Sequence, residues 1–592
     1  MSSLQNKIIS FWRKLRNARL FSNWLKSDSF SQESADRKLI YALSPRKIPN
    51  GEQIKHLNKF LNPREFLLIK ICILIVLVNG VYLGTVFLKK HLQYLPVIGG
   101  EYIEGVVGSP KTINPLYAVN RDIDSDLSRL IYSSLFKYDI HGRLSHDLVE
   151  TMEIGGENKE YIIKIKEGVS WHTGGNLTAE DIVFTVNLIK SAEYNSPLRS
   201  AFTNITVEKI DDLTLKFVLA EPYAPFPDLL TFGILPANLW KNIAPNAAVL
   251  ADLNLKPVGS GPYKFKSLVK SKTGDLKEYR LEANADYYGG QAYLKNITFI
   301  FFVDYIEAIK AFNDNQIMGL NYLPFTLRQE ILAQNSVKFR ELAQPQIISL
   351  FFNSVKNKTL ADKDVRVALA TALDKNQIIQ EVFAGIHSPA DGPILKESFA
   401  YNEEIKKYDY APATAAETIK TKPVTAILTV IDSGNNVAVA EKVKDYWTKA
   451  GGQISLNIVS GDQAAEIVKN RNFEILLYGE FIGGDPDVFV FWHSSQAGER
   501  GFNLTGYNNP EADKLLAEAR VSTDQAERIS RYKKFQEIVV ADLPAIFLYS
   551  PSYTYVQSNK LKGFSGTAIV DPGDRFSGVG GWYLKTKKKL TW

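Results

Sequence analysis

The sequence predicts a mixed α/β (α+β) protein of several domains, preceded by one membrane-spanning helix. Its 592 residues are enough for three or four domains, and 45% are apolar and 23% charged, which is typical of globular proteins. Residues 66–88 carry only one charge, and after them strand-like and helix-like patterns alternate without a repeat. A wholly disordered chain, a collagen-like chain and a polytopic membrane protein are therefore excluded.

The run from Phe66 to Leu88 is predicted to cross a bilayer. It is almost continuously apolar, and its one charge, Lys70, lies one turn from its start, where it can reach the interface. A core helix is the alternative, but such a helix usually has a polar face. A cleavable signal peptide fits poorly, because the run is long, begins 65 residues into the chain and precedes no small-residue cleavage motif.

The basic residues predict the orientation of this span. Residues 1–65 hold 13 basic and 5 acidic side chains, whereas residues 89–592 hold 56 and 59. The positive-inside rule therefore places the N-terminus in the cytoplasm and residues 91–592 outside the membrane. The outer part has no basic excess for nucleic acid. Residues 8–25 interleave apolar and basic side chains, which fits either a helix on the anionic inner leaflet or an ordinary helix with a solvated basic face.

Short strands and amphipathic helices are predicted beyond residue 100. Thr178 is a candidate N-cap, with Asp181 at the third helical position. The patterns predict strands at 102–107, 161–165 and 213–219, and helices at 126–136, from 178, and at 365–373, 378–383, 437–450 and 526–540. Clusters of proline and glycine predict passages of the chain between lobes at 222–227, 257–262, 389–393 and 483–486.

No motif typical of catalysis or of a metal site is present. The seven histidines form no His-x3-His pair, and His141 and His146 are interpreted as parts of a surface hairpin. The single cysteine, Cys72, excludes an internal disulfide. Asp485 and Asp487 flank a proline and are interpreted as turn residues. We expect no catalytic residue, no metal and no cofactor.

Five segments carry a resemblance to a known family. They are Thr112–Pro115, 166–184 (KEGVSWHTGGNLTAEDIVF), 257–265 (PVGSGPYKF), 284–290 (NADYYGG), and Asn353 with 364–374 (DVRVALATALD). In this order they resemble the family 5 extracellular solute-binding proteins, the oligopeptide-, dipeptide- and nickel-binding receptors of ABC importers. Within the third segment, Gly259 and Gly261 are predicted to take backbone angles closed to other residues.

The resemblance implies a two-lobed, periplasmic-binding-protein-like clamp (class II-like) with an extra third domain. The implied order is a basic cytoplasmic segment 1–65, the helix 66–88, lobe I from 101–136, 255–345 and 546–592, an additional domain 137–254, and lobe II 346–545. Such a clamp traps its ligand between the lobes by hinge closure, and an importer recognises the closed form.

The resemblance also implies a cleft in which an extended peptide pairs as an added strand. The candidates for its lining are Asn120, Tyr263, Phe351, Phe352, Asn353, Glu480, Asp485 and Trp492, although each aromatic has ordinary core packing as its alternative. Peptide-binding members commonly pair an Asp with the ligand's ammonium, and Ile482 stands at that position here. Glu480 or Asp485 would substitute for it, or else the ligand lacks a free amine there or is not a peptide.

The sequence therefore predicts a membrane-anchored receptor of an ABC importer, with a peptide or another small solute as ligand. Its expected partners are the permease subunits and, through 66–88, the lipid bilayer, with no nucleic acid. Two alternatives stay open. One is a receptor-like envelope scaffold that binds cell-wall peptides or partner proteins without transport, and the other is a tethered hydrolase with a non-standard site.

Overall fold

The computed structural model describes residues 61–118, 122–332, 337–499 and 501–590. The basic segment 8–25 and the candidate Asn120 lie outside these ranges. Leu95–Lys587 form one compact unit, and the apolar helix belongs to a separate unit.

The predicted membrane span is confirmed as a helix, Pro63–His91, which extends beyond residues 66–88 at both ends. Its 29 residues give a length of about 44 Å. The backbone N–H of Asn62 donates to the Glu65 carboxylate over 3.0 Å, and three basic residues fill the last turn. Within the described residues, it is the one helix long and apolar enough to cross a membrane, with a mean hydropathy of 2.5.

Strands and helices alternate in the described residues that follow the helix Pro63–His91. The strands are β1 (Leu92–Val97), β2 (Glu101–Val107), β3 (Phe136–Tyr138), β4 (Leu144–His146), β5 (Val149–Gly155), β6 (Glu160–Ile165), β7 (Ile205–Lys209), β8 (Thr214–Leu219), β9 (Tyr263–Lys270), β10 (Leu276–Ala283), β11 (Asn296–Phe302), β12 (Gly319–Leu320), β13 (Val337–Ala343), β14 (Gln346–Phe352), β15 (Ser388–Pro389), β16 (Thr425–Ile431), β17 (Gln453–Val459), β18 (Ile475–Phe481), β19 (Ala545–Ser550), β20 (Ser552–Ser558) and β21 (Lys585–Leu590). The α-helices are Asp122–Ile131, Ala179–Lys190, Arg199–Phe202, Phe226–Leu229, Ala237–Trp240, Tyr305–Asn313, Lys363–Thr371, Lys375–Phe383, Pro412–Thr421, Asn436–Lys449, Gly461–Asn470, Phe489–Trp492, Pro510–Val521 and Gln525–Asp542.

Most of the elements predicted from the sequence are confirmed within a few residues. The helix that begins at Ala179 has the predicted cap, because the backbone N–H of Thr178 donates to Asp181 over 2.9 Å. His141 and His146 lie in the predicted hairpin, β3–β4. The helix predicted at 126–136 instead begins at Asp122 and ends at Ile131.

Two large sheets and one smaller sheet organise the unit. The first sheet has seven strands in the order β13-β20-β12-β2-β11-β10-β9, and the second has six in the order β15-β19-β14-β18-β16-β17. A third, four-stranded sheet has the order β5-β6-β8-β7. One continuous core joins the first and third sheets, and it includes Tyr102, Tyr161 and Phe217. The second sheet has two cores of its own, one on each face.

The chain passes between the two large sheets at two neighbouring places in the described residues. Residues 344–345 connect β13 to β14, and Pro551 connects β19 to β20. The Gln344 N–H donates to the carbonyl of Pro551 over 3.2 Å, so the two connections lie side by side. These two passages do not fall at any of the four predicted proline–glycine clusters, because each consists of only one or two residues between consecutive strands. The lobe boundary predicted at 546 likewise falls inside β19, which belongs to the second sheet.

The two glycines of the 257–265 segment are required by close packing and not by their backbone angles. Neither has a positive φ, which corrects the prediction. A Cβ at Gly259 would lie 2.0 Å from the carbonyl oxygen of Ile131, and the Gly261 N–H donates to that oxygen over 2.8 Å. His172 holds the same loop, since its Nδ1 accepts from the Gly259 N–H and its Nε2 lies 3.0 Å from the Gly261 carbonyl. Burial lowers the pKa of His172 to about 4 and keeps its ring neutral.

We predict that Gly259→Ala destabilises the protein by about 1–3 kcal/mol or more, because backbone atoms of Ile131 cannot move aside as a flexible side chain would. The measurement is guanidinium unfolding of the full chain in detergent, followed by tryptophan fluorescence. Gly155→Ala is the matched control, since no atom lies within 4 Å of its added Cβ. Equal stability of the two variants would contradict this packing account.

Candidate ligand cleft

In the described chain, one edge of β18 has no partner strand along residues 478–481. β18 pairs with β14 along its whole length, from Gln346↔Phe481 to Phe352↔Ile475. On its other side it pairs with β16 only from Ile475 to Leu477. Within the described residues, the edge of 478–481 that faces away from β14 therefore carries free backbone groups. Such an edge accepts an additional extended chain.

A cavity of about 500 Å³ lies at the C-terminal end of this edge. We call it the acidic cavity, and its charged and aromatic lining consists of Arg129, Tyr132, Tyr138, Tyr223, Asp228, Phe232, Phe481, Asp485, Asp487, Arg520 and Asp571. The first core supplies one wall, and the loop that follows β18 supplies the other. On one side the backbone N–H of Ala224 donates to the carbonyl of Arg520 over 2.8 Å, which joins the two walls.

The arginines of this region are already paired with carboxylates. Arg520 contacts Asp487 at 2.9 Å, and Arg129 contacts Asp574 at 2.9 Å. Arg528, which lies just behind the lining, contacts Asp485 at 2.6 Å. These ion pairs are largely buried, where removal of one partner leaves a costly unpaired charge.

Asp228 has no such partner. No cation lies within ion-pair distance of its carboxylate in the part of the chain that the structure describes, and its Oδ1 accepts a hydrogen bond from the Tyr138 hydroxyl over 2.8 Å. Burial, and then the negative charge of Asp485, raise the pKa of Asp228 to about 7. Asp571 also lines the cavity, and it accepts from the Gly573 N–H over 2.9 Å.

A second cavity, of about 590 Å³, borders the preceding residues of β18. We call it the neutral cavity, because none of its lining residues in the described chain is Asp, Glu, Lys or Arg. Its polar lining consists of Tyr322, Thr326, Gln344, Gln346, His387, Ser433, Asn435, Asn436, Tyr478, Tyr549, Ser552 and Thr554. Burial lowers the pKa of His387 to about 4, and its ring stacks on Tyr549, so it too is uncharged at neutral pH.

The two cavities lie at consecutive positions along one strand. Residues 477–479 line the neutral cavity, whereas 481–485 line the acidic cavity. The free edge of β18 therefore runs from one cavity to the other. This arrangement suits an extended ligand whose ends meet different surroundings.

Of the candidates taken from the sequence, Asp485 lines a cavity, and so does Ile482. The side chain of Asp485 forms an ion pair with Arg528, which its interpretation as a turn residue did not predict. Tyr263 is wrong as a lining residue, because it is fully buried in the first core and its hydroxyl donates to the carbonyl of Leu294 over 3.1 Å.

The remaining candidates lie inside the second sheet's cores. Successive side chains of a strand point to opposite faces, so Phe351 and Phe352 enter different cores and neither lines the cleft. Asn353 holds a turn, since its Oδ1 accepts from the Val355 N–H over 3.1 Å. Trp492 is buried in the same core as Phe351, on which it stacks. All four predictions are corrected by this packing.

Glu480 also points into a core and not into the cleft. It is 3% exposed, and neither carboxylate oxygen has a hydrogen-bond partner among the described residues. Burial raises the pKa of its carboxyl well above the usual value, and the nearby Trp492 indole opposes this only in part. Because the Glu480 side chain is enclosed in this core, it is not available in the cleft as a counter-charge for a ligand's ammonium.

Sequence reasoning missed Asp228, Tyr138 and Asp571. They come from three separate segments, which meet only in the folded protein, and no motif marks any of them. The cluster at 222–227 lies directly before Asp228, but it was singled out as a candidate passage between lobes and not as part of a site.

Comparison with known proteins identifies the family. The model of the bacterial extracellular solute-binding proteins, family 5 (middle region), matches residues 143–502. The chain belongs to this family. Family 5 is made up of solute-binding proteins and not of enzymes.

Relatives match along most of the compact unit. The oligopeptide-binding protein AppA of Bacillus subtilis is 30% identical over 499 residues, which are 79% of this chain and 89% of AppA. The structure of B. subtilis AppA in complex with a nonapeptide has a TM-score of 0.62 at 27% identity, and the match covers 83% of this chain and all of that chain. CtaP of Listeria monocytogenes, an ABC transporter substrate-binding protein, has a TM-score of 0.71 at 26% identity, covering 82% of this chain and 99% of CtaP.

We predict that Glu480→Gln makes the protein less sensitive to alkaline pH. The folded state holds the Glu480 proton more tightly than the unfolded chain does, so its stabilising effect is complete below about pH 4.3 and is lost as the pH rises through the raised pKa. The free energy of unfolding of the wild type should fall relative to Glu480→Gln by up to about 1.4 kcal/mol per pH unit in that range.

The measurement is guanidinium unfolding between pH 5 and pH 9. Glu466→Gln, at an exposed site, is the control that should leave the pH profile unchanged. Parallel profiles for Glu480→Gln and the wild type would show that the Glu480 carboxyl is not held protonated by burial.

Proposed function

We propose that this family 5 protein is the receptor of an ABC importer and that it binds peptides in extended form along the free edge of β18. The observation that carries the proposal is this edge, which joins the acidic cavity to the neutral cavity. Main-chain hydrogen bonds along such an edge give affinity for any peptide, while the cavities on either side accept its side chains and ends. The relative AppA, an oligopeptide-binding protein with a structure in complex with a nonapeptide, supports a peptide as the ligand.

The proposed clamp has one lobe around each large sheet. The first lobe comprises 101–136, 255–345 and 551–592, the second comprises 346–550, and 137–254 is an additional domain that shares the first lobe's core. The two connections at 344–345 and Pro551 form the hinge. Ligand binding closes the lobes, and the importer recognises the closed form.

The helix Pro63–His91 is the proposed membrane anchor. The basic excess of residues 1–65 orients the N-terminus toward the cytoplasm, which leaves residues 91–592 outside. A permanently tethered receptor stays at a high effective concentration beside its permease in the same membrane. We favour binding over hydrolysis, because each acid that lines the acidic cavity in the described residues is paired with an arginine or hydrogen-bonded to a backbone N–H or a tyrosine.

We predict that a pentapeptide binds the full chain in detergent and that N-methylation of its backbone weakens binding with a period of two residues. A strand added to an edge directs alternate N–H groups toward it, and each lost hydrogen bond costs about 1 kcal/mol, or about fivefold in Kd. The measurement is isothermal titration calorimetry with a series of singly N-methylated peptides. All peptides of the series have the same side chains, so differences in Kd report on the backbone hydrogen bonds alone.

Equal Kd values across this series would contradict strand addition. An absence of heat with every peptide, together with no peptide in the mass spectrum of the purified protein, would contradict the peptide receptor as a whole.

A further inference from the structure

We infer that the cleft is polarised by charge: Asp228 of the acidic cavity binds the free amino terminus of the peptide, and the neutral cavity takes an uncharged carboxyl-terminal portion. The inference rests on the proposed function. It assigns the counter-charge to the first lobe's side of the cleft, in place of the position held by Ile482 in the second lobe. It also names the ligand class, which is peptides with a free amine and a neutral distal end.

Asp228 is the carboxylate best suited to an incoming cation. Arg528 and Arg520 already neutralise Asp485 and Asp487, so these two acids have little attraction left for a ligand. The Asp228 carboxylate accepts a hydrogen bond from the neutral Tyr138 hydroxyl and has no ion-pair partner in the described residues. The positive charge of Arg528 also acts on Asp228, but Arg528 is paired with Asp485. A partly buried carboxylate without a counter-charge is unfavourable, and a ligand's ammonium relieves that cost directly.

The surroundings of Asp228 add to this preference. In the described chain, four aspartates and two arginines line the acidic cavity, which leaves an excess of negative charge. Asp571 lines the same space and is held there by a backbone N–H and the Ser125 hydroxyl. The side chain of Ile482 contributes no charge to the opposite wall, so we assign the partner of the amine to the additional domain, which shares the first lobe's core and carries Asp228.

The neutral cavity has the opposite preference. Its lining offers amides and hydroxyls, including Gln344, Gln346, Asn435 and Asn436, and no cation in the described residues. A peptide carboxylate placed there loses hydration without gaining an ionic partner. A carboxamide, or the continuing main chain of a longer peptide, finds both donors and acceptors.

Because the two cavities follow each other along β18, a single bound peptide reaches both of them. The edge of 478–481 lies between them, so a peptide that pairs with this edge has one end in each. Its amino terminus lies beside the loop that follows β18. Its distal residues lie beside Tyr478 and the connection at 344–345.

The test is a set of four peptides of one sequence, with the amino terminus free or acetylated and the carboxyl terminus free or amidated. Calorimetry on the full chain in detergent measures each Kd. Acetylation should weaken binding at least about 30-fold, because a desolvated charge pair is lost. Amidation should tighten binding about fivefold or more, because it removes a charge that the neutral cavity cannot pair.

Asp228→Asn tests the assignment of the residue. It should weaken the free-amine peptides about 30-fold and leave the acetylated peptides unchanged, which removes the preference for a free amine. Asp445→Asn, at an exposed position of the helix Asn436–Lys449, should change none of the four values. Thermal unfolding of both variants checks that they are folded, and the peptide set on the wild type stands without them.

Each outcome decides. Equal binding of free and acetylated peptides by the wild type overturns the amine assignment while the peptide receptor stands. Tighter binding of the free-carboxylate peptides than of the amidated ones overturns the neutral cavity's role. Retention of the amine preference by a folded Asp228→Asn variant overturns the assignment to Asp228, and no binding of any of the four peptides contradicts the proposed function itself.

Discussion

Two adjacent extended connections, at 344–345 and at Pro551, are the constraint on which the architecture depends. They are the described passages between two sheets that otherwise have separate hydrophobic cores. Relative movement of the sheets therefore requires changes at a few backbone angles and leaves each core intact. The Ile482 N–H donates to the carbonyl of Pro345 over 2.8 Å, so the loop of the acidic cavity is tied to the same connection. Movement there and geometry at the cleft are coupled through this hydrogen bond.

A buried charge network fixes the first sheet's side of the cleft. The guanidinium of Arg575 contacts Asp126 at 2.6 Å and Glu104 at 3.1 Å, and the hydroxyls of Tyr102 and Tyr555 donate to Glu104. All of these groups are buried, and removal of one partner would leave an unpaired charge inside the core. Because residues 571–576 are held in this way, Asp571 faces the acidic cavity from a rigid segment. Residues 571–576 thus form part of the rigid wall of the site.

The sequence predicted the class of fold because its signals are local or repeated. The continuous apolar run indicated the helix Pro63–His91, alternation indicated β6 and β8, and Thr178 with Asp181 indicated a helix start. The passages between sheets were missed because a single proline, Pro345 or Pro551, marks each of them and no proline–glycine cluster does. For the glycines at 259 and 261 the residue type was informative, but the reason, contact with the Ile131 backbone, depends on a segment more than a hundred residues away.

The site was less predictable than the fold. Phe351, Phe352 and Trp492 are aromatic residues in and beside strands, and sequence alone does not tell a sheet's core from its edge. Glu480 was a plausible counter-charge until the direction of its side chain was known. Asp228 could be recognised as a candidate binding residue only from the folded structure, in which Tyr138 and Asp485 lie close to it. Pairing and burial, which are properties of the folded chain, separate the carboxylate that is available from those already neutralised.

Distance measurement between spin labels tests most directly whether the two lobes close on a ligand. In a background with Cys72 replaced by serine, one pair of labels is placed at Ser200, close in sequence to the lining residue Leu198, and at Lys514, on the helix Pro510–Val521 that carries Arg520. A second pair at Lys449 and Lys514 lies within the proposed second lobe. On addition of a free-amine, amidated peptide, the first distance should shorten by several ångströms while the second stays constant. Unchanged distances in both pairs at saturating peptide would contradict a hinged receptor.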